Sequence, residues 1–170
     1  MTTEQKPVNS GFGPKSTARE VLAGRDLTGK IAIVTGGYSG VGLETTRALA
    51  EAGATVVVPA RTQEKARTAL DGIPRVEVET LELIDPASID AFAGRFLGSE
   101  RPLDILINNA GIMAPPLQRD ARGYESQFAT NHLGHFQLTA RLWPALKRAG
   151  QARVVSVSST GISFGGVDFD

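Results

Sequence analysis

Cysteine is absent from the 170 residues, which excludes disulfides, thiolate nucleophiles and cysteine-ligated metal sites. Neither sign of charge is in excess, because 18 Lys and Arg balance 18 Asp and Glu. Nucleic acid and anionic membrane surfaces both select for surplus positive charge, so neither is expected as the main partner. No apolar run approaches the ~20 residues of a membrane span. Residues 1–14 are polar and lack the apolar stretch of a secretion signal. The expectation is a cytoplasmic globular protein with one compact domain, a size that buries roughly two thirds of its unfolded surface. Aromatic side chains are sparse too, with one Trp and only two Tyr, Tyr38 and Tyr124.

What is present is organised. Residues 1–26 form an arm of little periodicity, with one helical turn expected at 16–23, and residues 27–170 carry the ordered pattern. There, short apolar runs alternate with helical ones. Strands are expected at 31–35, 55–59, 76–81, 104–107 and 153–157, and helices at 40–52, 63–71, 86–97 and 123–148. Asp85 followed by Pro86 is a helix start, and Gly53 is a helix stop. Strict alternation implies a parallel sheet with right-handed crossovers, covered on both faces.

Between the first strand and the first long helix lies Thr35-Gly36-Gly37-Tyr38-Ser39-Gly40-Val41-Gly42. Glycine lets the backbone turn tightly and approach a pyrophosphate closely, and the free N–H groups of the next helical turn face the anion. The candidate phosphate cradle is therefore Gly36, Ser39, Gly40, Val41 and Gly42 in a Rossmann-type, doubly wound α/β sheet. An acidic residue about 20 positions after such glycines usually takes the ribose 2′-hydroxyl of NAD. Here the second strand ends Val58-Pro59-Ala60-Arg61, so an arginine stands 19 positions after Gly42. A guanidinium suits a 2′-phosphate, which favours NADP over NAD. The alternative is a solvated arginine at a helix start.

Further motifs carry a resemblance. Asn108-Asn109-Ala110-Gly111 follows the fourth strand, Asn131 sits in Phe128-Ala129-Thr130-Asn131-His132, Ser159 ends the pair after the fifth strand, and Glu82-Leu83 follows the third. With the glycine turn, they make residue 27 onward resemble the short-chain dehydrogenases/reductases, in the branch that includes retinol dehydrogenase-like reductases. The resemblance implies NADP held by the glycine turn, Arg61, Glu82, Leu83, Asn109, Ala110 and Gly111. It also implies Asn131 and Ser159 in the catalytic group, and a small-molecule carbonyl or alcohol substrate. Full-length relatives are expected to be homo-oligomers.

In that family a tyrosine gives the substrate its proton as hydride arrives. A lysine four residues later makes the phenol competent near neutrality, since tyrosine titrates near pH 10. Both tyrosines here precede Ser159, and no lysine follows it. The expectation is thus the front part of a reductase, inactive as written, with five strands and an open edge at the last. A non-catalytic NADP-binding module and a truncated product without function are the alternatives. His132 and His135 are expected to cap or pack rather than to hold a metal.

Overall fold

The structure is a computed structural model that describes residues 9–159. Its elements are α1 (Ala18–Leu22), β1 (Ile31–Val34), α2 (Gly40–Glu51), β2 (Thr55–Ala60), α3 (Gln63–Ala69), β3 (Val76–Thr80), α4 (Pro86–Gly98), β4 (Ile105–Asn108), a π-helical segment Phe128–Gly134, α5 (His135–Arg148) and β5 (Arg153–Ser156). The strands form one parallel sheet in the order β3-β2-β1-β4-β5. This is the doubly wound Rossmann-type α/β fold that the alternating pattern implies, with β5 at an edge among the described residues.

Successive strand residues point to opposite faces of the sheet, and both faces are covered. Ile33, Val57 and Leu106 pack beneath α4 and α5 with Phe92, Phe96, Leu138 and Leu142. Ala32, Val34, Val56 and Val58 pack beneath α2 and α3 with Leu49, Ala50, Ala66 and Leu70. Asp104 ties the start of β1 to β4: its carboxylate accepts from the Ile31 N–H at 3.0 Å and from Lys30 Nζ at 2.9 Å. The short α1 opens with a capping box between Thr17 and Glu20 and reaches α2 through Arg19 and Glu51, 2.7 Å apart.

The helix signals work as expected. Asp85 accepts from the Ala87 N–H and Pro86 occupies the first helical position of α4. Gly53 takes φ +104° after α2, and a Cβ there would lie 2.7 Å from the Thr28 hydroxyl oxygen. The last long helix departs from expectation, which started it at residue 123. Asp120 instead holds the N–H groups of Arg122 and Tyr124 in a turn. Glu125 then accepts from the N–H groups of Gln127 and Phe128, so the helical stretch begins after Glu125. Its first turns are π-helical before α5 proper.

Candidate functional site

At the switch point where the strand order reverses, the carboxyl ends of β1, β2 and β4 surround a cleft of about 340 Å³. Gly36, Ser39, Val41, Gly42, Arg61, Glu82, Leu83, Asn109, Ala110 and Gly111 all line it, so the structure gathers nearly every nucleotide-site candidate in one place. Gly40 stands apart as the first residue of α2, at φ +51°. Asn131 and Ser159 do not line this cleft.

The glycines are required by close approach. A Cβ on Gly36 would lie 3.0 Å from Ala110 Cα, at a residue with φ +65°. A Cβ on Gly42 would run into the Gly36 carbonyl and lie 2.5 Å from Asn109 Nδ2. The turn and the loop after β4 are thus pressed together without room for a methyl group. Ser39 occupies the N-cap position of the twelve-residue α2, yet its hydroxyl makes no capping bond. The first-turn N–H groups are left to a partner from the cleft.

Hydrogen bonds fix the opposite wall. Asn109 Nδ2 donates to the Thr35 carbonyl at 2.9 Å, and the N–H groups of Asn109 and Ala110 both donate to the Thr35 hydroxyl, at 2.9 and 3.0 Å. Ser88 holds the bend after β3 by accepting from the Glu82 N–H at 2.8 Å. Gly134 packs against that bend, where a Cβ would meet the Leu83 carbonyl. Arg61 is exposed at the cleft margin and makes no ion pair among the described residues. These contacts fit a dinucleotide phosphate: a cradle closed to any Cβ, uncapped helix N–H groups and an uncommitted guanidinium.

Asn131 acts on a neighbouring stretch. Its side-chain oxygen accepts from the Ile112 N–H and its Nδ2 donates to the Ile112 carbonyl, both at 2.9 Å, so one amide grips both polar groups of that residue. It also lines a second cavity of about 390 Å³ with Asn108, His132, His135, Ser156 and Ser158. Ser159, the next residue, is exposed beyond β5. Within the second cavity Asn108 donates to the Thr139 hydroxyl at 3.0 Å, while its own Oδ1 is buried without a partner among the described residues. The two histidines make different contacts. His132 stacks on Phe128 at 5.3 Å, and His135 is buried against Thr35.

Thr35, Thr130 and Gly134 belong to the site's framework although the sequence assigns them no site role, and His135, expected to cap or pack, is packed against Thr35. Thr35 and Gly134 could have been found from their motifs, one opening the glycine turn and the other breaking a helical run. The contact of His135 with Thr35 joins residues 100 positions apart and has no local signal.

The sequence pattern of the short chain dehydrogenase family matches residues 30–167. A Streptomyces antibioticus protein named "Probable oxidoreductase" is 52% identical over 141 residues, covering 79% of this chain and 46% of that protein. Retinol dehydrogenase 12 of Mus musculus is 43% identical over 149 residues, covering 84% and 47%. The crystal structure of a metagenomic short-chain oxidoreductase in complex with NADP superimposes with a TM-score of 0.66 at 30% identity, covering 75% of this chain and 60% of that one. The chain spans about half the length of the curated relatives it matches. By sequence pattern, fold and relatives alike, the chain belongs to the short-chain dehydrogenase family, in the branch that includes retinol dehydrogenases.

Proposed function

We propose that this chain holds NADP(H) in the cleft between β1, β2 and β4, as the nucleotide-binding part of an oxidoreductase acting on a small carbonyl or alcohol. The observation that carries this reading is the glycine turn pressed against Asn109 and Ala110, with Arg61 where an NAD site would place a carboxylate. Gly36, Ser39, Gly40, Val41 and Gly42 would hold the pyrophosphate with backbone N–H groups. Arg61 would take the 2′-phosphate through charge-assisted hydrogen bonds. Glu82 and Leu83 would flank the adenine, and Asn109, Ala110 and Gly111 the nicotinamide ribose. Asn131 and Ser159 would stand near the reacting carbonyl. When bound, the nicotinamide supplies or accepts the hydride. The related metagenomic enzyme's complex with NADP supports the choice of cofactor.

Isothermal titration of the purified chain tests the reading. NADP+ is expected to bind at least tenfold more tightly than NAD+, and Arg61→Glu to reverse that order. Equal affinity for the two cofactors in the unaltered chain would sink the assignment to Arg61. One observation favours a second reading, binding without turnover. Tyr38 lines the nucleotide cleft, Tyr124 packs edge-on to Phe128, and no tyrosine or lysine follows Ser159 in the sequence. The proton-donating pair of the family is therefore not supplied by these 170 residues. NADPH oxidation with a panel of aldehydes and ketones separates the two, and no turnover is expected from this chain alone.

A further inference from the structure

His135 is one of only two histidines, and its surroundings determine where its proton sits. A threonine hydroxyl has one proton to give and two lone pairs to receive. At Thr35 both lone pairs are taken by the N–H groups of Asn109 and Ala110. The hydroxyl proton must then go outward, and His135 Nε2 lies 2.9 Å away, closer than the Ile107 carbonyl at 3.4 Å. Nε2 therefore accepts and carries no hydrogen. On the other side of the ring, Nδ1 lies 2.9 Å from the Asn131 carbonyl, which can only accept, so Nδ1 carries the hydrogen. The tautomer follows from counting donors and acceptors.

We infer that His135 is a positioning residue for the nucleotide cleft: as the neutral Nδ1–H tautomer it draws off the Thr35 proton, so that Thr35 can hold both Asn109 and Ala110 in the cleft wall, and a proton added to Nε2 releases one of them. A protonated ring would present a third donor to an oxygen with two lone pairs. One N–H of the Asn109–Ala110 pair would have to let go, on the wall that lines the cleft. The same ring grips the Asn131 carbonyl, while the Asn131 side chain grips Ile112. Thus a single imidazole joins the end of β1, the loop after β4 and the π-helical segment.

Among the described residues, the groups lining the cavity beside the ring carry no fixed charge. From β4 comes Asn108, from α5 Phe136 and Thr139, and from β5 Ser156 and the following Ser158. Among the described residues the other titratable group on that side is His132, one turn earlier and stacked on Phe128. Burial pushes the His135 pKa below its ordinary value, against the hydrogen bond to the Asn131 carbonyl, which favours the charged form. The role in shaping the cleft rests on the NADP(H) reading above; the tautomer does not.

The test uses the 170-residue chain labelled with 15N, with histidine ring correlations and amide hydrogen exchange followed from pH 7.5 to 4.5. At pH 7.5, His135 is expected to show a hydrogen-bearing Nδ1 and a bare Nε2. As it takes up a proton, the protection of the Asn109 or Ala110 amide is expected to fall at least tenfold while the sheet amides stay protected. Glutamine at this position can place its amide oxygen where Nε2 lies, and asparagine can place its amide nitrogen near Nδ1. His135→Gln should therefore keep both amides protected across the whole range and bind NADP+ within about twofold of the unaltered chain. His135→Asn should weaken NADP+ binding about tenfold at pH 7.5. An Nε2–H tautomer at pH 7.5, a charged His135 with both amides still protected, or a His135 that stays neutral until the whole chain unfolds would each overturn the inference. Failure of the unaltered chain to bind NADP+ would instead remove the cofactor reading, and the ring and amide signals would still decide the role of His135.

Discussion

The two sides of the sheet are built from similar residues and end in different environments. β2 (Thr55-Val56-Val57-Val58-Pro59-Ala60) is buried from Val56 onward, with its valines at zero exposure beneath α2 and α3 on one face and α4 on the other. β5 (Arg153-Val154-Val155-Ser156) is exposed along its length, and Val154, Val155 and Val157 are 42%, 47% and 56% accessible among the described residues. Valine supports a strand on both sides, because its branched side chain suits a pleated surface. What separates the two is covering layers, not local preference. The cleft between β1, β2 and β4 is built on the covered side and at the centre, away from the exposed edge.

Substitutions on either side should sharpen this contrast. Leu106→Ala, beneath α5 in the central β4, should cost about 2–5 kcal/mol in urea denaturation through lost burial and the cavity left behind. Gly42→Val, at the cradle, should cost about 1–3 kcal/mol from overpacking. It should also remove measurable NADP+ binding by isothermal titration, because the new side chain meets Gly36 and Asn109. Acid should act next. The buried His135 takes up its proton less readily folded than unfolded, where it titrates near 6.5. Its contribution to stability is therefore complete above that pH and is lost as pH falls below it, at up to about 1.4 kcal/mol per pH unit. Denaturant melts at pH 7.5 and 5.5 should show this slope, and His135→Gln should flatten it.

Asp85→Ala, which removes the cap of α4, should cost about 1 kcal/mol by the same melts. Val155→Thr on β5 should change stability by less than about 0.5 kcal/mol, the smallest of the set. Equal losses for Leu106→Ala and Val155→Thr would break the comparison, since they would mean that β5 is buried in solution. The open edge also predicts association. Light scattering should show concentration-dependent assembly that Val155→Lys reduces, because a charged edge resists pairing with another chain.

How much of this could be read from the sequence varies with the range of the interaction. β1, β2 and α4 fall within a residue of expectation, because alternation, Asp85-Pro86 and Gly53 are local signals with local causes. The cleft was also legible, since its glycines, Arg61 and the Asn-Asn-Ala-Gly turn lie at strand ends that a parallel sheet must bring together. The start of the last helix was not, because two side chains, Asp120 and Glu125, settle which backbone N–H groups enter a turn and which enter a helix. The π-helical turns were hidden too, as their apolar spacing over seven residues does not differ usefully from that of an α-helix. The link from Thr35 to His135 required the fold itself, because nothing in either neighbourhood points to the other.

The placement of β1 at the centre of the sheet bears on how the chain is made. β1 pairs with β2 across one helix, but with β4 only after two more helices and another strand have been synthesised. Closing the longer loop is the slower event, and parallel pairings of this kind delay folding. On the ribosome, β1, β2 and β3 with the helices between them can assemble first, leaving the β4 side of β1 open. Until β4 arrives, Ile33 and Val34 lack part of their cover, and Thr35 lacks the two amides it later holds. This would be the interval of greatest vulnerability to misassembly, and it would end when the β4 loop reaches the glycine turn.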